Sequence, residues 1–361
     1  MNESKNTLLI ARQQMSVWVG RGAAFIITTL AATQAQAALL TSSFLSNQVL
    51  RYDETTGTFL GVFGEANNID SGLLGPDGLV FGSDNNLYVS SFGSNEILKY
   101  DGRTGEFLGV FGQATQVDSG LINPVGLTFG PDDHLYVSSF GSNEVLKFEG
   151  STGNFLGIFG DAFLENSGLE NPDNLIFGAD NNLYVSSFGT SEVLRFDGTT
   201  GDFLGIFGDA SNAVSGLDTP TGLRFGLDGH LYVNSYVSDQ VLKFDGTTGA
   251  FLGVFGDASS VNSPLNGPVN LVFGLDGNLY ISSSNLLNQG NEELTNQVLK
   301  YNGTTGIFEG VVLDVVNTEG LLFIPAGLEF TPNSVPEPNM MWGISILLGV
   351  GISQWVLTFQ K

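Results

Sequence analysis

The pair Leu-Tyr recurs at residues 87, 135, 183, 231 and 279, and an opening Pro recurs at 76, 124, 172, 220 and 268, each step being 48 residues. A fixed period of this length means one supersecondary unit per repeat, unable to bury its apolar face except against its neighbours. Within residues 78–111 the unit reads GLVF, LYVSSF, EILKY and FLGVF, four short β-branched or aromatic runs. The first two are separated by Asp/Asn/Gly turns such as GSDNN and GLDGH, and the last two by DGxTG or a close relative. Both are hairpin chemistry. Four consecutive antiparallel strands make a propeller blade, so the period predicts an all-β propeller.

The ends of the repeat array fix the blade count. Residues 39–64 supply the second, third and fourth strands of a unit with no first strand before them, and PAGLEF (325–330) supplies a first strand with nothing after it. One split unit and five whole ones predict six blades over residues 38–330, closed by pairing the C-terminal strand with the N-terminal blade, which removes the exposed sheet edges of an open array. The step from Pro268 to Pro325 is 57 residues, and the nine extra ones fall within 285–296, between a second and a third strand.

The consensus P-x-G-L-x-F-x-x-D-x-x-L-Y-V-S-S, continued by N-x-V-L-K-F-D and F-L-x-x-F-G, resembles the NHL repeat over residues 39–330. The resemblance implies a six-bladed propeller of the binding-module kind. No Trp-Asp pair ends a strand, which sets the chain apart from WD repeats.

Outside the repeats the sequence reads as targeting. Arg12 and Arg21 precede the apolar run 23–32, and Ala35-Gln36-Ala37 supplies the small-x-small pattern of a cleavage site, so residues 1–37 are predicted to be a signal peptide, with translation starting at Met1 or Met15. Residues 331–338 are a Pro-rich linker, and 339–361 contain 19 uncharged residues from Met341 to Phe359. As a helix these would reach roughly 28 Å, the thickness of a hydrocarbon core. Pro336, Glu337 and Pro338 followed by such a helix resemble the PEP-CTERM sorting signal. That resemblance implies exosortase-type sorting machinery as a partner, membrane attachment through the C-terminal helix, and delivery to the cell envelope or extracellular matrix, where polysaccharide or protein is the expected ligand.

Charge narrows the partners. The chain carries 12 basic and 37 acidic residues, net −25, and loss of residues 1–37 makes it more acidic by a further two charges. A polyanion would be repelled, so no nucleic-acid partner is expected. Without Cys there are neither disulfides nor thiolate metal sites.

Candidate site residues come from repeat positions that align around the ring axis. Phe44, Phe92, Phe140, Phe188 and Tyr236 share one slot after the second strand, either as sugar-stacking aromatics or as packing between blades. On the innermost strand Asp77 and Asp173 follow the opening Pro, Asn174 and Asn270 replace Gly, and Arg224 and Glu329 replace Val, Thr or Ile, while Asn234 replaces a second-strand Ser. Carboxylates and amides converging on an axis would suit a divalent cation such as calcium, as in gluconolactonase-like propellers, and drift among repeats accounts for the same differences. His134 and His230 occupy a tight turn and read as turn residues. Arg51, Lys99, Lys147, Arg195, Lys243 and Lys300 take one slot per blade and are expected to pair with acids such as Glu96, Glu144 and Glu192. No phosphate loop, nucleophile elbow, zincin helix or EF-hand loop occurs, so no residue is read as catalytic. The leading expectation is a non-catalytic binding module; the rival is a metal-dependent lactonase-like or lyase-like propeller enzyme.

Overall fold

The computed structural model describes residues 38–63, 71–113, 119–161, 167–209, 215–257, 263–284, 296–315, 318 and 320–332. The proposed signal peptide, the 285–295 stretch of the insertion, and the Pro336–Pro338 motif with its tail lie outside them. Among the described residues no helix is long and apolar enough to cross a membrane.

The described strands form six separate four-stranded antiparallel sheets. Blade 1 is Pro325–Phe330, Ala38–Ser43, Gln48–Asp53 and Phe59–Val62, in that spatial order, and blade 2 is Pro76–Phe81, Leu87–Ser91, Glu96–Tyr100 and Phe107–Gln113. Blades 3 to 6 repeat the pattern from Pro124, Pro172, Pro220 and Pro268. The first strand of each blade packs against the first strands of the blades on either side, and blade 1 touches both blade 2 and blade 6, so the ring is closed. This is a six-bladed β-propeller.

Closure uses the two ends of the array. Leu39, Leu40 and Thr41 pair with Phe330, Glu329 and Leu328. The bond is extended where Ala38 N–H donates to Thr331 Oγ1 at 2.8 Å and Thr331 N–H donates to the Ala38 carbonyl at 2.9 Å.

Alternation within the strands makes the core. Leu87 and Val89 are fully buried on one face of their strand and pack with Leu98 and Tyr100 of the same blade, whereas Tyr88 points the other way, towards blade 3. The Tyr88 ring stands edge-on to Phe111 of its own blade at 4.8 Å and to Phe129 of blade 3 at 5.0 Å. Tyr136, Tyr184 and Tyr232 do the same with the Phe pairs of the next blades. Each such pair contributes about 0.5–1.5 kcal/mol beyond area burial.

Because the strands alternate in direction, the starts of first and third strands and the ends of second and fourth strands share one face, with the blade-to-blade connections. The tight turns, Ala38 and Thr331 occupy the opposite face.

Candidate functional site

The connection-bearing face is built on a repeated clamp. Asn143, at φ 62°, turns the chain between the second and third strands, and its Oδ1 accepts the Asn171 N–H of blade 4 at 2.7 Å. Asn47, Asn95, Asp239 and Asn296 clamp the next connection in the same way, and Ser191 does so with its hydroxyl. Residues 135–148, LYVSSFGSNEVLKF, which carry Asn143, thus act as scaffold, and the face they support is pre-organised.

On that face the aromatic slot forms a continuous arc. Ring centroids are 5.6 Å apart from Phe44 to Phe92, 6.4 Å from Phe92 to Phe140 and 5.7 Å from Phe140 to Phe188, with planes crossed by 58–67°. All four rings are half-buried, while Tyr236 is buried and its hydroxyl donates to the Ser284 carbonyl at 3.0 Å. Gly75, at φ 61°, lies where any Cβ would come within 3.0 Å of the Phe44 ring, so this close approach requires glycine.

The sequence reading missed an outer collar to this arc. Phe323, Leu74 and Ile122 occupy the slot two residues before the opening Pro in blades 1 to 3 and are 40–49% exposed, with Leu45 beside Phe323 at 59%. In blades 4 and 5 the same slot holds exposed Glu170 and Asp218. One half of the face is thus apolar and the next sector acidic. A slot-by-slot comparison of the repeats carries that signal, because the residue class switches between blades 3 and 4.

Inside the channel two candidate residues are brought together. Asp77 and Asp173 lie at equivalent positions of blades 2 and 4, one residue in from the connection-bearing face. Burial raises the pKa of Asp77, and both burial and the charge of Asp77 push Asp173 well above the usual carboxylate range. Asn174 Oδ1 is occupied by its neighbour, accepting the Leu175 N–H at 2.8 Å, whereas Asn270 Oδ1 is buried without a hydrogen-bond partner. Arg224 does not join them. It spans from blade 5 to blade 1, Nη2 to Glu329 Oε2 at 3.3 Å, three residues further along the innermost strands and nearer the tight-turn face. Burial raises the pKa of Glu329 and the Arg224 charge opposes that shift. Among the described residues no group of three or more His, Asp or Glu is placed to hold a metal ion.

Asn234 lies away from the channel, in the seam between blades. In its slot Ser42, Ser90 and Ser138 accept an N–H from their own first strand and donate to a carbonyl of the next blade; Ser90, for example, takes Gly78 N–H at 2.7 Å and gives to the Val125 carbonyl at 2.7 Å. Asn234 is fully buried and neither amide atom has a partner, the blade 5 to 6 stitch being made instead by Thr221 Oγ1 to the Pro268 carbonyl at 2.8 Å.

Two remaining expectations concern the tight-turn face. His134 and His230 accept the Gly150 and Gly246 N–H groups through Nδ1 at 3.3 and 3.4 Å, as turn residues do. The basic slot pairs differently from expectation. Lys99, Lys147, Lys243 and Lys300 bind Asp84, Asp132, Asp228 and Asp276 of the tight turns at 2.7–2.8 Å, and Lys99 and Lys147 do not take Glu96 and Glu144, three residues earlier on their own strands. Residues i and i+3 of a strand face opposite sides, so Glu96 cannot share the side on which Lys99 lies over the Tyr88 ring.

No protein-family model and no curated protein matches the sequence. Among solved structures the chain is similar to a protein of unknown function from Bacteroides caccae, at 14% identity and TM-score 0.60 over 82% of this chain and 99% of that one. It is equally similar to a chain of a nidogen/laminin complex, at 14% identity and TM-score 0.59 over 82% and 99%. A virginiamycin B lyase from Staphylococcus aureus matches at 15% identity and TM-score 0.52 over 83% and 97%. At these identities the likeness is one of fold, the six-bladed β-propeller.

Proposed function

We propose that this chain is an exported, NHL-type propeller that binds a protein partner on its connection-bearing face and catalyses no reaction. The observation that carries the reading is the half-buried arc from Phe44 to Phe188 continuing outward into exposed Leu45, Leu74, Ile122 and Phe323. A contiguous apolar sector on a pre-organised rim is what a protein interface core requires. Crossed, half-buried rings beside aliphatic side chains suit it better than sugar stacking, which needs an open aromatic face with polar groups alongside. A fold neighbour belonging to a nidogen/laminin complex supports the same class of partner.

Delivery rests on residues 1–37 as a signal peptide and on Pro336, Glu337 and Pro338 with the 339–361 tail as a sorting signal for exosortase-type machinery. Ala38 and Thr331 leave together from the tight-turn face, so a tail anchored in a membrane would turn the apolar sector outward. The test is capture of a partner from envelope extracts by the wild-type chain and by a Leu74→Asp/Ile122→Asp double variant. Equal capture by both would refute the assignment of this face.

The Asp77–Asp173 pair favours a second reading, a metal-dependent lyase-like or lactonase-like enzyme with a divalent cation at the channel mouth. Stoichiometric metal in the purified protein, released by EDTA and absent from Asp77→Asn, would favour it over the binding module.

A further inference from the structure

We propose that blades 5 and 6 rest their tight-turn face on the surface of a zwitterionic bilayer, with Leu227, Leu275 and Ile307 entering the headgroup layer. The placement rests on 339–361 being the membrane anchor proposed above, and it adds which side of the ring meets the lipid.

Leu227, Leu275 and Ile307 are 98%, 64% and 64% exposed, more than any other large apolar side chain among the described residues. All three lie in one sector of one face. Gly229 N–H donates to the Gly226 carbonyl at 3.0 Å and Gly277 N–H to the Gly274 carbonyl at 2.9 Å, closing the tight turns of blades 5 and 6 with Leu227 and Leu275 at their tips. Blades 2 to 4 hold Ser83, Pro131 and Ala179 in that slot, and blade 1 holds Pro332. Ile307 stands between the last turn of blade 6 and its outermost strand, Phe308–Leu313, and so lies on the same face.

Charge is withdrawn from this sector. The turn between third and fourth strands opens with Asp53, Asp101, Glu149, Asp197 and Asp245 in blades 1 to 5 but with Asn302 in blade 6, and the slot of Glu106 and Asp202 holds Ala250 in blade 5 and Ile307 in blade 6. The acids that remain have partners within the protein. Asp228 and Asp276 bind Lys243 and Lys300 at 2.7 Å, Glu309 binds Asn302 at 3.2 Å and Lys300 at 3.8 Å, and Asp245 accepts the Thr247 and Thr248 N–H groups at 3.1 and 2.8 Å. Apolar tips beside satisfied charges can enter a headgroup layer without stranding an ion.

The course of the chain names what covers the sector. Blade 1 adjoins blade 6, and its Pro332 leads towards the 19 uncharged residues that begin at Met341. The intervening stretch reaches roughly 30 Å when fully extended, so an anchored chain holds this face near the bilayer. At −25 the protein is repelled by anionic lipid and by a second copy of itself, which leaves a neutral headgroup as the surface it can approach.

The chain has no Cys, so single-cysteine variants of the full chain each carry one environment-sensitive fluorophore. They are reconstituted into phosphatidylcholine vesicles with the label at Leu227→Cys, Leu275→Cys, Ser83→Cys on the far side of the same face, or Leu45→Cys on the opposite face. Melting temperatures show that each variant is folded. At 227 and 275 the emission is expected to shift to the blue and iodide quenching to fall by at least about twofold, with 83 and 45 unchanged. Vesicle-bound chain with all four labels in water overturns the placement and leaves the anchor standing, as does an equal shift at 83 and 227. Chain that fails to float with the vesicles refutes the anchor and the placement together. A blue shift at 227 that grows with protein concentration in the absence of vesicles assigns the sector to a second copy and overturns the proposal.

Discussion

Asp77 and Asp173 stand on the innermost strands of alternate blades with Val125 of blade 3 between them, and the charge of Asp77 adds to burial in raising the pKa of Asp173. Both folded-state pKa values lie above those of the unfolded chain, so the folded form binds protons that the unfolded form releases. This pair costs stability above its raised pKa range, and the cost fades as pH falls through that range towards the ordinary carboxylate value near ~4.

Asp77→Asn is accordingly expected to stabilise the protein at pH 8 by about 1–2 kcal/mol, with most of the gain gone at pH 5. Urea unfolding at the two pH values checks this. A gain of equal size at both would show that the carboxylate is not the cause.

The tight-turn acids predict the opposite slope at lower pH. Burial alone would raise Asp84, but hydrogen bonds from Lys99, Asn86 and Tyr88 outweigh it and bring its pKa down to about 2. Asp132, Asp228 and Asp276 are lowered by the same arrangement. Their contribution is present above the unfolded carboxylate pKa and is lost as pH falls through the folded values. The melting temperature is therefore expected to be highest in mild acid and to drop steeply below about pH 4. A wild-type melting temperature still rising at pH 3 would contradict this.

Ring closure depends on Pro325–Phe330. A chain ending at Ile324 leaves the Ala38–Ser43 strand without its inner neighbour and opens a sheet edge, whereas a chain ending at Pro332 retains every bond of blade 1. Differential scanning calorimetry should place the first well below the second. Coincident transitions would mean that blade 1 is not closed by this strand.

Asn234→Ser restores the residue that stitches neighbouring blades elsewhere and removes two buried amide atoms without partners. A stabilisation of about 1 kcal/mol is expected, measured by denaturant midpoint. Loss of stability would mean that the smaller side chain leaves a cavity more costly than the orphaned amide.

Leu74→Asp and Ile122→Asp change exposed side chains and are expected to alter stability by no more than about 0.5 kcal/mol while weakening partner binding. A large drop in melting temperature would assign these residues to the fold instead of to an interface.

The 48-residue period, the Asp/Asn/Gly turns and the split between residues 39–64 and 325–330 determined the blade, its count and its closure, because hairpins are local and a period of 2 places Leu87, Val89 and Tyr88 on faces that only adjacent sheets can bury. The aromatic slot was legible for the same reason: one position per repeat becomes one position per blade around an axis. What the sequence left open were relations across the ring and between faces. Asp77 and Asp173 are 96 residues apart, and Arg224 and Glu329 are 105; only the width of the channel decides that the carboxylates couple with each other while the guanidinium goes to Glu329. Lys99 chose Asp84 over Glu96 because pairing with Tyr88 fixes the side from which its ammonium leaves the sheet. Asn234 looked like a channel residue by its deviation from Ser, and the ring puts it in a seam, since a second strand lies behind the first. Local chemistry is written in the order of residues, but Coulomb interactions and burial depend on distances through space, and those exist only once the six blades have closed.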